Sequence, residues 1–445
     1  MPIRVRLVAC LAILLAIGAG AAEATDGERA QEDRIAELER TVKVLADELE
    51  RTRTQMAVPE EQELEGRHGL GPAASKIYTV TRGLSIGGYG EGLYQKLVDD
   101  AGGGSDKADL LRMVLYAGYK FTDSIIFNAE IEFEHATTGS TKSSSGGSAS
   151  VEFAALDFLV RDWANIRAGL LLVPMGFINE VHEPPFFLGV NRPEVERHII
   201  PSTWRENGVG VFGSLFGGEL EYNAYVVNGL NAQGFTPSNL RGGRQKGNRA
   251  LAEHLAFVGK LNWSPVPGLL FGGSVYHGKS GQNQAVGGVA IPDSPTTIWE
   301  LHSQFRSHGL HLRGLFTMAH IDDAGSLTAA LRAASVGGSP ILGPTQTIAS
   351  EMQGGYAEIG YDLLPLLLPD TEKSLEPYFR FESYDTQDEV PSGFFRDRSK
   401  EVTSYTYGLQ FKPIPNVVIK VDLRERKSEA GDLADEFNVG VGLAF

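Results

Sequence analysis

The sequence predicts an all-β fold: a 16-stranded antiparallel transmembrane β-barrel with an infolded third external loop, preceded by a short N-terminal coiled-coil helix. Three observations carry this prediction. In the last eleven residues Phe437, Val439, Val441, Leu443 and Phe445 are bulky and apolar, while Asn438, Gly440, Gly442 and Ala444 are small or polar. Period two marks a strand with one apolar face, and an aromatic residue closing that face suits a wall turned towards lipid. Short alternating runs also recur from Gly83 onward, and the connections between them alternate between short and long.

Met1 to Arg6 is basic, Leu7 to Ala22 is apolar, and Ala22-Glu-Ala24 offers a cleavage site, so residues 1–24 read as a signal peptide. Cys10 is the single cysteine and lies inside that run, which continues past it and argues against a lipoprotein anchor. The mature chain then has no disulfide. A hydrophobic share of 42% is too low for a helical membrane protein, and no later window holds 18 apolar residues.

Residues 25–57 change character. Ile35, Leu38, Val42, Leu45 and Leu49 fall at alternating a and d positions, Met56 returns to a, and charged residues fill the rest. This pattern predicts a coiled coil of about three to four heptads. Residues 58–80, acidic and bracketed by Pro59 and Pro72, read as a linker, and 81–445 as the barrel. The net charge of −16 suits solubility and gives no support for nucleic-acid binding.

Strands are expected near 83–95, 108–120, 125–135, 150–162, 165–173, 208–216, 218–229, 250–263, 269–280, 295–307, 309–322, 351–364, 374–386, 400–412, 416–427 and 435–445. Short joins such as Trp163-Ala-Asn165 and Pro413-Ile-Pro415 alternate with long loops at 136–149, 174–207, 230–249, 281–294, 323–350 and 387–399. Short turns at one rim and long loops at the other are the rhythm of a transmembrane barrel. Leu363 to Pro369 breaks it with an apolar join. Parity agrees: Phe127, Ala129, Ile131 and Phe133 alternate with Asn128, Glu130, Glu132 and Glu134. The polar rows would line a lumen with Arg112, Glu130, Glu132, Arg167, Arg306, Arg313, Arg380, Glu382, Arg424 and Arg426, while Phe437 and Phe445 close the barrel.

The 174–207 loop carries five prolines together with Phe186, Phe187, Ile199, Ile200 and Trp204, too apolar for a solvated tip. Folded inward, it would bring Arg192, Arg197, Arg205, His182, His198, Glu183, Glu194 and Glu196 to a constriction.

Sixteen strands with such a loop resemble a trimeric bacterial porin, and the terminal Phe resembles the C-terminal signature of outer-membrane barrels. Gly169-Leu-Leu-Leu-Val-Pro-Met-Gly-Phe177, followed by Gly208-Val-Gly-Val-Phe212, is similar to the phosphate-selective porin O/P group, and the coiled-coil arm resembles dicarboxylate-channel porins. The resemblance implies a homotrimer in the bacterial outer membrane, with its coiled coil in the periplasm. It implies passage of small hydrophilic solutes, and barrel insertion by machinery that reads Phe445. It also implies an arginine ladder for phosphate; only Arg192, Arg197 and Arg205 occupy the matching loop, with acidic companions, so phosphate selectivity is not carried over. The expected function is a water-filled channel for passive diffusion, in which Arg192, Arg197 and Arg205 attract anions while Glu183, Glu194 and Glu196 shape the opposing field. The alternatives are a channel specific for phosphate or organic acids, and a structural or adhesive barrel tethered by the coiled coil.

Other chemistry finds no motif. Gly242-Gly-Arg-Gln-Lys-Gly247 lacks the spacing and ending of a phosphate loop, and His182-Glu183 runs into two prolines, which excludes a helical zinc motif. His302, His308 and His311 flank a short turn, where solvation is the simpler reading. No enzyme activity, cofactor or metal is expected.

Overall fold

The computed structural model describes residues 34–48, 64–98, 104–141 and 145–445. They belong to two units, one ending at Gln62 and one running from Glu63 to Phe445. In the first unit residues 34–48 are helical, and the seam residues Ile35, Leu38, Val42 and Leu45 are all more than half exposed in the single chain. The expected signal peptide and the rest of the expected coiled coil, Leu49 and Met56 included, lie outside the described residues.

The second unit is a closed barrel of sixteen long strands. They are β1 (Gly83–Leu97), β2 (Lys107–Lys120), β3 (Ile125–Glu134), β4 (Ser148–Arg161), β5 (Ala164–Leu172), β6 (Arg205–Leu215), β7 (Leu220–Asn228) and β8 (Leu255–Val266). The ring continues with β9 (Leu269–Lys279), β10 (Pro295–Ser307), β11 (Leu310–Ile321), β12 (Glu351–Tyr361), β13 (Ser374–Glu389), β14 (Glu401–Ile414), β15 (Val417–Ser428) and β16 (Glu436–Ala444). Each pairs antiparallel with the next, and β16 also pairs with β1, from Tyr89↔Ala444 to Leu97↔Glu436. Gly88 and Phe445 exchange backbone hydrogen bonds of 2.9 Å, which seals the seam. A cylinder closed in this way satisfies its ladder hydrogen bonds internally, the condition for crossing hydrocarbon with strands.

Every expected strand is present, with ends shifted by a few residues. The largest shift is in β8, which starts at Leu255 because the residues before it are held by side chains: Gln245 accepts from the Leu251 N–H at 2.6 Å and Gln282 from the His254 N–H at 3.0 Å. Side chains alternate as expected. In β15 Val418, Lys420, Asp422 and Arg424 are buried inward while Ile419 and Leu423 are exposed outward. Leu84, Ile86, Met113, Phe133, Val209, Phe257, Leu301 and Phe437 extend this exposed apolar outer surface around the ring.

The inside is largely filled. Where the long loops gather, Leu230, Phe235, Leu240, Ile291, Leu327, Leu331, Leu342 and Ile348 pack with Met175, Ile199, Ile200 and Trp204 of the third loop. At the short-turn end the expected linker proves different over its described part: residues 64–82 belong to the barrel unit and pack inside it. Leu70, Ala73, Ala74 and Ile77 are nearly fully buried, and a 3-10 helix spans Ala74–Tyr78. Leu70, Ala73, Ala74 and Ile77 recur at a helical spacing, but over so short a run the pattern does not name its partners, which are long-range. The apolar join after β12 is a single helical turn, Leu364–Leu367, with Leu366 and Leu367 exposed at the short-turn rim.

Candidate functional site

The lumen is organised by the third loop, residues 173–204. Pro174, Pro184, Pro185, Pro193 and Pro201 deny it a ladder, so its polar backbone is satisfied by turns, short helical pieces and barrel side chains. Asn179 clamps the two roots together. Its amide donates to the Val173 carbonyl at 2.7 Å and the Trp204 carbonyl at 2.8 Å, and its oxygen accepts from the Trp204 N–H at 2.6 Å.

From there the loop is pinned to the wall on several sides. Lys260 of β8 donates to the Gly176 carbonyl at 2.7 Å and pairs with Glu180. Glu196 accepts from the N–H groups of Phe177 and Ile178 at 2.9 and 2.8 Å and from the Tyr356 hydroxyl at 2.6 Å. Arg380 of β13, paired with Glu358 at 2.9 Å, donates to the carbonyls of Leu188 and Asn191. Lys420 of β15 donates to the carbonyls of Phe187 and Gly189 at 2.7 and 2.9 Å, and Asp422 accepts from the Val190 N–H at 2.7 Å. Glu382 accepts from the Glu194 N–H at 2.7 Å, while the Glu194 carboxylate meets Arg424 and Arg426 at 3.2 and 3.3 Å.

The constriction candidates therefore separate into two groups. His182, Glu183, Glu194 and Glu196 are buried fasteners; His182 sits 3.2 Å from Glu130, and Glu183 faces the segment before β1. Arg197 is exposed, while Arg192 and His198 are half-buried. Arg205 is buried against Glu152. Among the lumen candidates, Arg112 pairs with Glu91 and Glu132, Arg167 with Asp157 at 2.7 Å, and Arg313 with Glu358 at 3.5 Å. Arg306 is exposed, in a cavity of about 340 Å³ at the short-turn end with His308, His311, Glu376 and Lys412. His302 bonds Glu300 and Asn262, and among the described residues no group of three His, Cys, Asp or Glu is placed to hold a metal ion.

A second cavity, about 530 Å³, opens at the long-loop end between an acidic wall of Glu132, Glu134 and Glu152 and a basic wall of Arg205, Arg241, Arg244 and Lys246. The last three, on the loop before β8, and Glu152 of β4 are charged lining residues that the sequence pattern did not single out; Arg244 and Lys246 entered only as part of Gly242–Gly247, which lacks the form of a phosphate loop. Arg244 donates to the carbonyls of Ser202 and Thr203, and Arg241 to the Ser202 carbonyl at 3.2 Å and the Thr203 hydroxyl at 2.7 Å. All these acceptors are neutral. Burial, followed by repulsion from Arg241 and Arg205, pushes the Arg244 guanidinium down to about 9. Burial, followed by repulsion from Arg197 and Arg192, pushes Arg241 to about 10. Among the described residues Arg192, Arg197, Arg241, Arg244 and Lys246 have no carboxylate within ion-pair distance, and the cavity sets four cations against three carboxylates, so its wall is net positive.

No family model matches the chain. Solved structures that share its fold include OmpF of Salmonella typhi, in complex with daunomycin, at 12% identity and a TM-score of 0.53, covering 82% of this chain and 98% of that one, and the outer-membrane channel DcaP of Acinetobacter baumannii, at 13% identity and a TM-score of 0.50, covering 81% and 97%. The barrel is thus of the porin type. A closer relative is an uncharacterised protein of Aquifex aeolicus strain VF5, 37% identical over 361 residues, which span 80% of this chain and 78% of the relative. At that identity and coverage, the chain belongs to the same family as this Aquifex aeolicus protein.

Proposed function

We propose that the protein is an outer-membrane porin through which small hydrophilic solutes diffuse passively, with a preference for anions. The observation that carries the preference is a set of cations with no carboxylate within ion-pair distance among the described residues: Arg241, Arg244 and Lys246 on the larger cavity, with Arg192 and Arg197 on the third loop. Fixed charges beside a water-filled passage raise the local concentration of counter-ions and set the sign of the selectivity. The short-turn rim, which holds both Gly83 and Phe445, is the periplasmic side in this reading. Phe445, partly exposed on the outer face, is then available to the insertion machinery, and the helical seam at 34–48 to two further copies in a trimer.

Planar-bilayer recording with a salt gradient tests this. The expected result is a steady conductance with a reversal potential on the anion side; zero conductance of the folded protein defeats the reading. The many buried fasteners of the third loop favour a second reading, a channel specific for organic acids or phosphate. Concentration-dependent block of the current by one such solute, but not by others of its size, separates it from the general porin.

A further inference from the structure

The segment before β1 occupies the lumen beneath the larger cavity. That cavity is lined by the long-loop ends of β3 and β4, by Leu170 of β5 and Arg205 of β6, and by the loop before β8. Nearer the short turns the same side of the wall holds residues 64–82. Asn128 of β3 donates to the Ala74 carbonyl at 2.8 Å, Arg167 of β5 to the His68 carbonyl at 3.1 Å, and the Tyr78 hydroxyl to Asp157 of β4 at 2.5 Å. Lys120 of β2 donates to the Val80 carbonyl at 3.0 Å. The smaller cavity lies against the facing wall, β10, β11, β13 and β14, and shares no lining residue with the larger one.

The seat of the segment is built for it. Glu183, wholly buried at the tip of the third loop, accepts from the N–H groups of Ala73 and Ala74 at 3.0 and 3.4 Å. A Cβ at position 71 would lie 2.5 Å from both Glu183 oxygens, and one at position 118 would lie 2.7 Å from the Ile77 side chain. Both sites are glycine, so backbone and side chain approach where any larger residue would hold them apart. A linker that merely hung from the barrel would need neither the glycines nor the buried carboxylate.

We propose that residues 64–82 are a plug: together with the third loop they close the route along the β2–β5 wall, so the chain's own N-terminal segment sets the conductance and the solute size limit. The proposal rests on the channel reading above.

The test compares three full-length proteins in planar bilayers and in liposome swelling with uncharged sugars, after heat-modifiable migration has confirmed folded barrels. They are the native chain, a variant with residues 68–78 replaced by an equal length of Gly and Ser, and Gly118→Leu, which fills the space of Ile77 without changing the segment. Both variants should conduct at about twofold or more the native level and admit larger sugars, since the pore cross-section bounds both. Native conductance and an unchanged sugar limit in folded Gly118→Leu overturn the proposal even if the replacement variant fails to fold. Zero conductance in all three defeats the channel reading itself.

Discussion

Neutralising the basic wall of the larger cavity, by Arg241→Gln, Arg244→Gln and Lys246→Gln together, should remove most of the anion preference. An ion passing about 8 Å from one unit charge in water feels about 0.5 kcal/mol, and a Debye length of about 8–10 Å at physiological salt reduces this to about 0.2. Three charges then favour an anion by about 0.6 kcal/mol and disfavour a cation equally, so the permeability ratio falls by about 1.2 kcal/mol, or about sevenfold. At about 59 mV per decade for a monovalent ion, in a tenfold salt gradient, the reversal potential should move about 35 mV towards zero. The three residues are also structural, because Arg241 and Arg244 bind the carbonyls at the end of the third loop. The double variant Arg241→Lys and Arg244→Lys separates the two roles: charge is kept while the fork-shaped donor is lost, and the native reversal potential should survive. An unchanged reversal potential in the neutral triple variant, with the barrel folded, would refute the assignment of selectivity to this wall.

Other consequences follow from the same geometry. Asn179→Ala removes three buried hydrogen bonds at the roots of the third loop, a loss of about 2–4 kcal/mol, and should raise open-channel current noise and protease cleavage within 173–204; a quiet, resistant variant would show that the loop holds without its clamp. Val190→Cys with Gly440→Cys places the two Cβ atoms about 3.6 Å apart, within disulfide range, and the bridge should form on oxidation with little change in conductance; failure to cross-link would mean that the loop does not rest on β16 in solution.

Much of the barrel was legible because its signal is one-dimensional. A strand between lipid and a polar interior alternates with period two regardless of its neighbours, and Asn128 to Glu134 or Val417 to Arg426 show the rows directly. Antiparallel closure also makes turn length alternate along the chain, so the count of sixteen needed no distance information. The third loop was legible by contradiction, since Phe187, Ile199, Ile200 and Trp204 have no place in a solvated tip, and all four are buried.

What the acidic and basic residues of the lumen do was decided by folding. Glu183, Glu194 and Glu196 look in sequence like pore charges beside Arg192 and Arg197, but the Tyr356, Arg424 and Arg426 side chains reach Glu196 and Glu194 from strands more than a hundred residues away, and the N–H groups of Ala73 and Ala74 reach Glu183 from the segment before β1, which turns them into fasteners. Arg241, Arg244 and Lys246 became the cationic wall only because their loop folds back over Ser202 and Thr203. Residues 64–82 became an interior element only because Asn128, Arg167 and Glu183 offered hydrogen bonds to an otherwise unremarkable stretch. Periodicity reports which face of a strand meets lipid, and the sequence alone therefore determined the cylinder. Which charge is paired, and which is left free to meet a solute, depends on contacts between distant strands and loops, and the tertiary structure alone settled it.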